Sequence, residues 1–336
     1  MTATPLASPP PTSTTEVGLQ VTGLTVELHT PRGDVRAVDG VGFTAFRGQT
    51  LALLGESGCG KSMTAQAIVG LLEPIAEVIG GRIEMDGENL LAMSRKRRRA
   101  IAGPMLSIVF QDALTALNPV YTVGTQLAEP FRIHQRMSAK AARVKAIELM
   151  AHVGIPEPEA RVDSYPHQFS GGMRQRLLIA MAVALSPKVL IADEPTTALD
   201  VTVQAQILAL LARLRREHEM AVVLITHDLA VVAEEADRVA VMYAGRIVES
   251  GPVSEVFETP KHPYTRGLLE SVPVDAERGA ALASIPGSPP DLFAIPEGCA
   301  YQCRCPLVQD ICRKDRPDLR AVGGDRSAAC HFAEEV

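Results

Sequence analysis

The stretch LALLGESGCGKSMTAQAIVGLL, residues 51–72, joins an apolar strand to a helix through a glycine-rich loop. The loop GESGCGKS fits G-x-x-x-x-G-K-[ST], the pattern of a phosphate-binding loop. Gly55, Gly58 and Gly60 allow backbone angles with which successive N–H groups can converge on phosphate oxygens. We expect Lys61 to place its charge near the terminal phosphates and the Ser62 hydroxyl to ligate Mg²⁺. The alternative is a plain glycine-rich turn, which the motifs below disfavour.

Polar residues follow three further apolar strands. In KVLIADEPTTALD, Asp193 ends a strand and is placed to hold Mg²⁺, and Glu194 is placed to orient or deprotonate a water. The strand in AVVLITHD leads to His227, a γ-phosphate contact, and SIVFQD leads to Gln111, which can reach the metal or the water. Adjacent acids can also cap a helix, and a lone histidine at a strand end is usually structural. The phosphate loop upstream favours the catalytic interpretation.

A second helix start with bare amides lies in FSGGMRQRLLIAMAVAL, at Ser170, Gly171 and Gly172. A single nucleotide does not need two helix N-termini from the same chain to bind its phosphates. In two chains that face each other head to tail, the second helix N-terminus has a role, because each serine–glycine turn can close the partner's site.

Composition bounds the class of protein. The net charge of −6 argues against a nucleic-acid binder that depends on bulk positive charge. Residues 1–17 contain no basic residue and no apolar run, so we expect a disordered lead and no secretory signal. The longest apolar run, Leu177 to Leu185, is about half of what a bilayer-spanning helix needs. We therefore expect a soluble, cytosolic chain.

Local patterns predict several elements around these motifs. Residues 140–155 carry apolar side chains at helical spacing and end at Gly154, and a second helix is predicted from Val203 to Leu214. RVAVMYAGRIVESG predicts a β-hairpin around Ala244–Gly245.

Over residues 18–262 the chain resembles the ATP-binding-cassette (ABC) ATPases. The resemblance implies an α/β fold: an ABC-type P-loop nucleotide-binding domain with an inserted helical signature subdomain, about 112–185, and a small Cys-rich C-terminal extension, 263–336. It lies in the ordered motifs: the Walker A loop Gly55–Ser62, the Q-loop Gln111, the signature Ser170–Gly172, Walker B Asp193–Glu194, the D-loop Ala198–Asp200 and the switch His227.

The signature reads FSGGMRQR instead of LSGGQ, a variant typical of the dipeptide and oligopeptide permease ATPases, although Ala113 replaces the usual proline after FQD. This resemblance implies an ATPase that powers import of di- or oligopeptides. The implied partners are a second ABC ATPase, two transmembrane permease subunits that contact ALTALNPVYTVGTQ, and an extracytoplasmic substrate-binding protein, with no nucleic acid. The implied location is peripheral, on the cytoplasmic face of the inner membrane. Import of nickel chelates or glutathione, or a non-transport ABC ATPase, are the alternatives.

The same resemblance implies roles for individual residues. Glu194 is the catalytic base, His227 positions the γ-phosphate, and Ser62, Gln111 and Asp193 complete the Mg²⁺ and water shell. Ser170, Gly171 and Gly172 act on the partner's ATP. His29 is the adenine-stacking residue, with an exposed turn histidine as the alternative. The implied ATP contacts are Gly55, Glu56, Ser57, Gly58, Cys59, Gly60, Lys61, Ser62 and Met63; Cys59 is in addition a small packing residue.

Four of the six cysteines lie in EGCAYQCRCPLVQDICRK, residues 297–314, and Cys330 follows. In a reducing cytosol, clustered cysteines bind metal or do redox chemistry more often than they form disulfides. Zinc sites usually show paired knuckles, and no second pair follows Cys299 and Cys303. Zinc and no metal remain alternatives to a 4Fe–4S cluster, which the resemblance implies, with Cys303 as an extra cysteine. The implied ligands are Cys299, Cys305, Cys312 and Cys330.

Overall fold

The computed structural model describes residues 16–111, 116–197, 199–271 and 284–336. Two sheets form its framework. The strands are β1 (Val17–Thr30), β2 (Gly33–Phe46), β3 (Thr50–Leu54), β4 (Ala76–Met85), β5 (Glu88–Asn89), β6 (Leu106–Val109), β7 (Val189–Asp193), β8 (Ala221–Thr226), β9 (Arg238–Tyr243), β10 (Arg246–Pro252), β11 (Arg320–Ala321) and β12 (Ser327–Ala328).

The larger sheet is mixed and has the strand order β11-β12-β10-β9-β3-β8-β7-β6. The strands β9, β3, β8, β7 and β6 run parallel, so the carboxyl ends of β3, β6, β7 and β8 meet at one edge. The turn at Ala244–Gly245 reverses the chain into antiparallel β10, which confirms the predicted hairpin. Both turn residues have positive φ, as a two-residue hairpin turn requires.

The smaller sheet is antiparallel, with the order β2-β1-β4-β5. Its apolar face, which includes Leu19, Val21 and Val41, packs in one core with Leu53 and Ile191 of the larger sheet. These side chains are fully or almost fully buried. The phosphate loop and the helix that follows it are therefore held between two sheets.

Helices cover the larger sheet. Between β6 and β7 the described chain is helical, and its side chains form one core with Leu190 and Leu224 of the sheet. The predicted end at Gly154 is confirmed by its left-handed backbone, φ 79°. The helices are α1 (Lys61–Val69), α2 (Arg95–Ile101), α3 (Val123–His134), α4 (Ala139–His152), α5 (Pro158–Arg161), α6 (Gly171–Val183), α7 (Val201–His218), α8 (Leu229–Glu235), α9 (Val253–Glu258), α10 (Pro263–Glu270) and α11 (Asp310–Lys314).

The last part of the chain is joined to the larger sheet. Strand β12 pairs with β10 at Glu249–Ala328 and Ser250–Ser327, and β11 pairs with β12. Tyr264 and Tyr301 pack with Tyr243 of β9, with ring centroids 4.6 to 5.5 Å apart. Among the helices of the described ranges, none combines the length and apolarity needed to cross a bilayer.

Candidate functional site

The polar residues predicted from the strand ends converge on one edge of the larger sheet. The phosphate loop follows β3, Asp193 ends β7, His227 lies just beyond β8, and Gln111 lies just beyond β6. Because these strands are parallel neighbours, residues far apart in the chain meet within hydrogen-bond distance. The structure therefore gathers the predicted catalytic set in one place.

Close packing explains two glycines of the loop. A Cβ on Gly55 would lie 2.3 Å from the Met242 carbonyl oxygen, and one on Gly60 would lie 2.5 Å from the Ala37 carbonyl oxygen. Gly60 also has φ 104°, a left-handed conformation that disfavours other residues. The loop thus turns tightly into α1 and directs the N-terminal amides of this helix into the cleft above it.

Lys61 and Ser62 start α1 beneath the loop. The buried Lys61 ammonium donates to the carbonyl oxygens of Gly55 at 2.7 Å and of Glu56 at 3.0 Å. The Ser62 hydroxyl donates to Asp193 Oδ1 at 3.0 Å. Burial raises the pKa of Asp193, against the opposing effect of the Ser62 hydrogen bond. A divalent cation at this hydroxyl–carboxylate pair would favour the ionised form.

Glu194 is the centre of a hydrogen-bonded group. Its Oε2 accepts from Gln111 Nε2 at 2.8 Å and from the Thr197 hydroxyl at 2.9 Å, and its Oε1 lies 3.2 Å from His227 Nδ1. Glu194 has φ 44°, a left-handed conformation that is costly for a side-chain-bearing residue and often marks functional sites. These contacts fix the carboxylate at the rim of the cleft.

The cleft has a volume of about 670 Å³, within the range of small-ligand sites. Its apolar wall comes from Leu28, Ala37, Leu268 and Leu292, and no Phe, Tyr or Trp is among its described lining residues. The predicted residues that line it are Gly55, Glu56, Ser57, Gly58, Gly60, Lys61, Ser62, Met63, Gln111, Glu194 and His227.

The structure does not bring His29 into this cleft. Its ring lies at the solvent-exposed end of β1, 3.0 Å from Asp34 and 3.4 Å from Glu77, and these carboxylates raise its pKa. Successive side chains of a strand point to opposite faces, so the neighbour Leu28 lines the cleft in its place. Cys59 is buried behind the loop, as its packing role predicts.

The signature residues lie apart from this cleft in the same chain. Ser170 is the N-cap of α6, where its hydroxyl accepts from the Met173 amide at 3.4 Å. Ser170 and Gly171 are exposed, and Gly172 is half-buried. In the predicted D-loop, Asp200 caps α7 by accepting from the Val203 amide, and Ala198 lies outside the described residues.

Sequence reasoning missed two contacts from the C-terminal region to the loop. The Arg304 guanidinium pairs with the Glu56 carboxylate at 2.7 and 2.9 Å, and the Tyr264 hydroxyl accepts the Glu56 amide N–H at 2.9 Å. Arg304 follows Glu56 by 248 positions, so no local pattern links them. The sequence did contain a chemical signal. A glutamate in a predicted phosphate-binding loop would repel the phosphates, so a positively charged residue is expected close to it.

Four cysteines of the C-terminal region line one small cavity, and they are Cys299, Cys305, Cys312 and Cys330. Cys303 is exposed and faces a different groove. No three of the sulfurs lie within 4.8 Å of one another. Tetrahedral zinc at about 2.3 Å from each sulfur would need sulfurs about 3.8 Å apart. The four cysteines thus surround a common space at wider spacing than zinc requires.

The surroundings of these sulfurs act on their ionisation in two opposite ways: burial opposes the thiolate, and backbone N–H groups favour it. The Phe332 N–H donates to Cys330 Sγ at 3.4 Å, and, against the larger effect of burial, the backbone N–H groups of Tyr301 and Leu307 act to lower the pKa of Cys299 and of Cys305. Burial raises the pKa of Cys299 and of Cys330 to about 11, so a bound cation would have to favour their ionised forms. Amide hydrogen bonds to sulfur are a feature of iron–sulfur sites, and this donor set fits such a group.

Comparison with known protein families gives two matches. Residues 38–197 match the ABC transporter family, and residues 248–312 match the oligopeptide/dipeptide transporter C-terminal region. The chain is similar to the dipeptide transport ATP-binding protein DppD of Bacillus subtilis, with 53% identity over 94% of this chain and 95% of the relative. Its identity to the Escherichia coli protein of that description is 46%, over 94% of this chain and 96% of the relative.

Solved structures agree with these matches. The dimeric, post-hydrolysis ATP-binding cassette MJ0796 bound to ADP and Pi has a TM-score of 0.63 and 26% identity, over 70% of this chain and 98% of that one. CbiO1 from Clostridium perfringens has a TM-score of 0.61 and 30% identity, over 72% of this chain and 91% of that one. The fold is that of an ABC ATPase cassette with mixed α/β sheets. The chain therefore belongs to the ATP-binding subunits of ABC transporters, which are ATPases coupled to transport, in the branch that carries the oligopeptide/dipeptide C-terminal region.

Proposed function

We propose that this chain hydrolyses ATP to power import of di- or oligopeptides through a membrane ABC permease. The observation that carries the proposal is the cleft lined by the phosphate loop, Ser62 and Glu194, with buried Asp193 hydrogen-bonded to Ser62, in a chain so similar to dipeptide transport ATP-binding proteins. The chain acts as a peripheral subunit on the cytoplasmic face of the membrane.

In this mechanism the loop amides and Lys61 bind the phosphates of ATP. Ser62, Asp193 and Gln111 would hold Mg²⁺, which would supply positive charge to the triphosphate. Glu194 takes a proton from the attacking water as the bond from the γ-phosphorus to ADP breaks, and His227 positions the γ-phosphate. Thr197 and Gln111 keep the Glu194 carboxylate oriented toward the cleft.

A second ATPase completes the site. Ser170, Gly171 and Gly172 lie on an exposed helix start, where their amides are available to the ATP of a partner cassette. Head-to-tail pairing brings this turn over the partner's phosphate loop and closes the cleft, and hydrolysis reopens it. We propose that the helices between β6 and β7 form the signature subdomain.

Substitution of Glu194 tests the catalytic role. Glu194→Gln keeps the shape of the side chain and removes the base, so turnover should fall at least about 100-fold while ATP-driven pairing persists. The assay uses the pair in which the partner ATPase's own base is already replaced by glutamine. Glu148→Gln, on the exposed surface of α4, is the matched control. Turnover retained by Glu194→Gln would refute the role.

The permease surface is proposed around the start of α3. Val120 is 71% exposed and Tyr121 is 55% exposed, although both are apolar enough to favour burial. They lie in the predicted contact segment ALTALNPVYTVGTQ, of which residues 113–115 are outside the described residues. Val120→Asp with Tyr121→Asp should lower recovery of the chain on permease-containing membranes and leave ATP binding unchanged. Unchanged recovery would exclude this surface.

The four cysteines that line the small cavity, Cys299, Cys305, Cys312 and Cys330, are proposed to hold a 4Fe–4S cluster with a structural role, since ATP hydrolysis needs no redox step. Anaerobic purification followed by assay of iron, acid-labile sulfide and zinc tests this proposal. We expect about four irons and four sulfides per chain, lost in Cys305→Ser or Cys312→Ser and retained in Cys303→Ser. Zinc, or no metal, would refute the cluster.

The transported solute is set by an extracytoplasmic binding protein and the permease. Binding protein loaded with di- or oligopeptides should stimulate ATP hydrolysis by the reconstituted complex. If only binding protein loaded with nickel chelates or with glutathione stimulated the ATPase, that solute and not a peptide would be the cargo.

A further inference from the structure

The phosphate loop carries a carboxylate, Glu56, whose charge is balanced from outside the loop. Arg304 Nη1 donates to Glu56 Oε2 at 2.7 Å and Nη2 donates to Oε1 at 2.9 Å. This two-point geometry is the strongest form of an arginine–carboxylate contact. The Glu56 carboxylate is 27% exposed and the Arg304 side chain only 4%, so water screens the pair weakly.

Arg304 is fixed by the C-terminal region itself. Its Nε donates to the Pro286 carbonyl oxygen at 2.9 Å. Its guanidinium carbon lies 5.8 Å from the ring centroid of Tyr243 and 5.9 Å from that of Tyr301, within the range of cation–π attraction. These three contacts hold the Arg304 guanidinium in place, so the position of the guanidinium constrains the position of the phosphate loop.

The backbone at Glu56 is held from the same direction. The hydroxyl of fully buried Tyr264, on α10, accepts the Glu56 N–H at 2.9 Å. Glu56 is therefore bound at both its main chain and its side chain by residues from beyond position 262. Leu268 and Leu292 extend the same region into the wall of the cleft.

These contacts matter because the loop is proposed to receive a polyphosphate. A carboxylate inside a partly buried anion site repels its ligand unless a cation neutralises it. We propose that Arg304 is a positioning residue for the ATP site: it neutralises Glu56 and fixes the loop, so that nucleotide affinity depends on the C-terminal region. This inference rests on the proposed ATP site and adds to it a residue outside the cleft, since Arg304 is not among the lining residues.

Binding of the fluorescent nucleotide mant-ADP with Mg²⁺ to the purified full-length chain tests the proposal. Arg304→Gln leaves Glu56 unpaired, and affinity should fall about tenfold, in the range of coupling between sites. Glu56→Gln removes the repelling charge and should bind within about threefold of wild type. The double variant should match Glu56→Gln, because the charge that Arg304 neutralises is gone. A merely structural role for Arg304 predicts no such rescue.

Arg320→Gln is the matched control, because its ion pair with Glu334 lies on the exposed surface of the same region. Far-UV circular dichroism checks folding. If Arg304→Gln does not fold, Arg304→Lys keeps the charge but loses the two-point contact, so its affinity for mant-ADP should fall by about threefold, less than the loss from removing the charge. Wild-type affinity in Arg304→Gln, no rescue in the double variant, or a tenfold loss in a folded Arg304→Lys would overturn the proposal. Failure of the wild-type chain to bind mant-ADP would instead refute the proposed ATP site.

Discussion

The buried ion pair between Glu249 and Arg326 ties the end of the chain to the ATPase sheet. Glu249, on β10, is fully buried, and its Oε1 accepts from Arg326 Nη2 at 3.1 Å. The carboxylate also accepts the backbone N–H groups of Lys261 at 2.8 Å and His262 at 2.9 Å. Arg326 directly precedes β12, so removing its charge tests whether the C-terminal strands belong to the cooperative fold.

Arg326→Met should destabilise the protein by about 3–5 kcal/mol, the usual cost of leaving one partner of a buried pair uncompensated. Burial already raises the pKa of Glu249. Without Arg326 this pKa rises further, so the folded state binds a proton that the unfolded state releases. Stability then falls as pH rises above the unfolded pKa, by at most about 1.4 kcal/mol per pH unit. The loss caused by Arg326→Met should therefore be larger at pH 7 than at pH 4.5, the ordinary pKa of a glutamate.

Urea unfolding followed by far-UV circular dichroism measures this, because the chain has no tryptophan to report by fluorescence. Arg320→Met, which breaks an exposed pair in the same region, should cost less than about 1 kcal/mol. The double change Glu249→Gln/Arg326→Met should recover part of the loss. A cost within 1 kcal/mol of wild type for Arg326→Met, or an equal cost for Arg320→Met, would refute the reasoning.

Three further predictions follow from local contacts. Burial lowers the pKa of His262 to about 3, so below pH 6.5 the unfolded state binds a proton that the folded state does not, and stability is lost as pH falls. His262→Asn can still accept the Tyr264 N–H. Between pH 6.5 and pH 5 its free energy of unfolding in urea should fall less steeply than that of the wild type, by up to about 1.4 kcal/mol per pH unit. An equal fall in the two proteins would contradict this prediction. Gly55→Ala should cost about 1–3 kcal/mol and weaken mant-ADP binding, since its Cβ would meet the Met242 carbonyl at 2.3 Å; wild-type values would show that the loop relaxes. Cys303 and Cys305 both flank Arg304, but only Cys305 lines the cysteine cavity, so Cys305→Ser should weaken mant-ADP binding and the exposed Cys303→Ser should not. Equal affinities of the two variants would show that the cysteine cavity does not influence the phosphate loop.

Local patterns predicted the elements that flank the site. The apolar strand predicted before the phosphate loop is observed as Thr50–Leu54, and the strand predicted to end at Asp193 is observed as Val189–Asp193. The helix expected from Val203 to Leu214 lies within α7 and buries Ile207, Leu210, Leu211 and Leu214. These segments carry their own periodicity and turn residues, so neighbouring positions suffice to identify them.

Long-range pairing was beyond the reach of such patterns. The addition of β12 to β10 joins residues about 80 positions apart, and β12 has only 2 residues, too few to show an apolar alternation. His29 was chosen by residue type, whereas the register of β1 places Leu28 in the cleft. Arg304 is a single charge among many until the fold sets it against Glu56. Each of these depends on which surfaces meet, and a single sequence does not encode that locally.

The central claim is that Glu194-dependent ATP hydrolysis by this chain powers peptide import. The most direct measurement is uptake of a labelled dipeptide, presented on its binding protein, into proteoliposomes that hold the permease, both ATPases and internal ATP. We expect uptake with the wild-type chain and a loss of at least about 100-fold with Glu194→Gln. Uptake at the wild-type rate with Glu194→Gln, or ATP consumption without any peptide uptake, would contradict it.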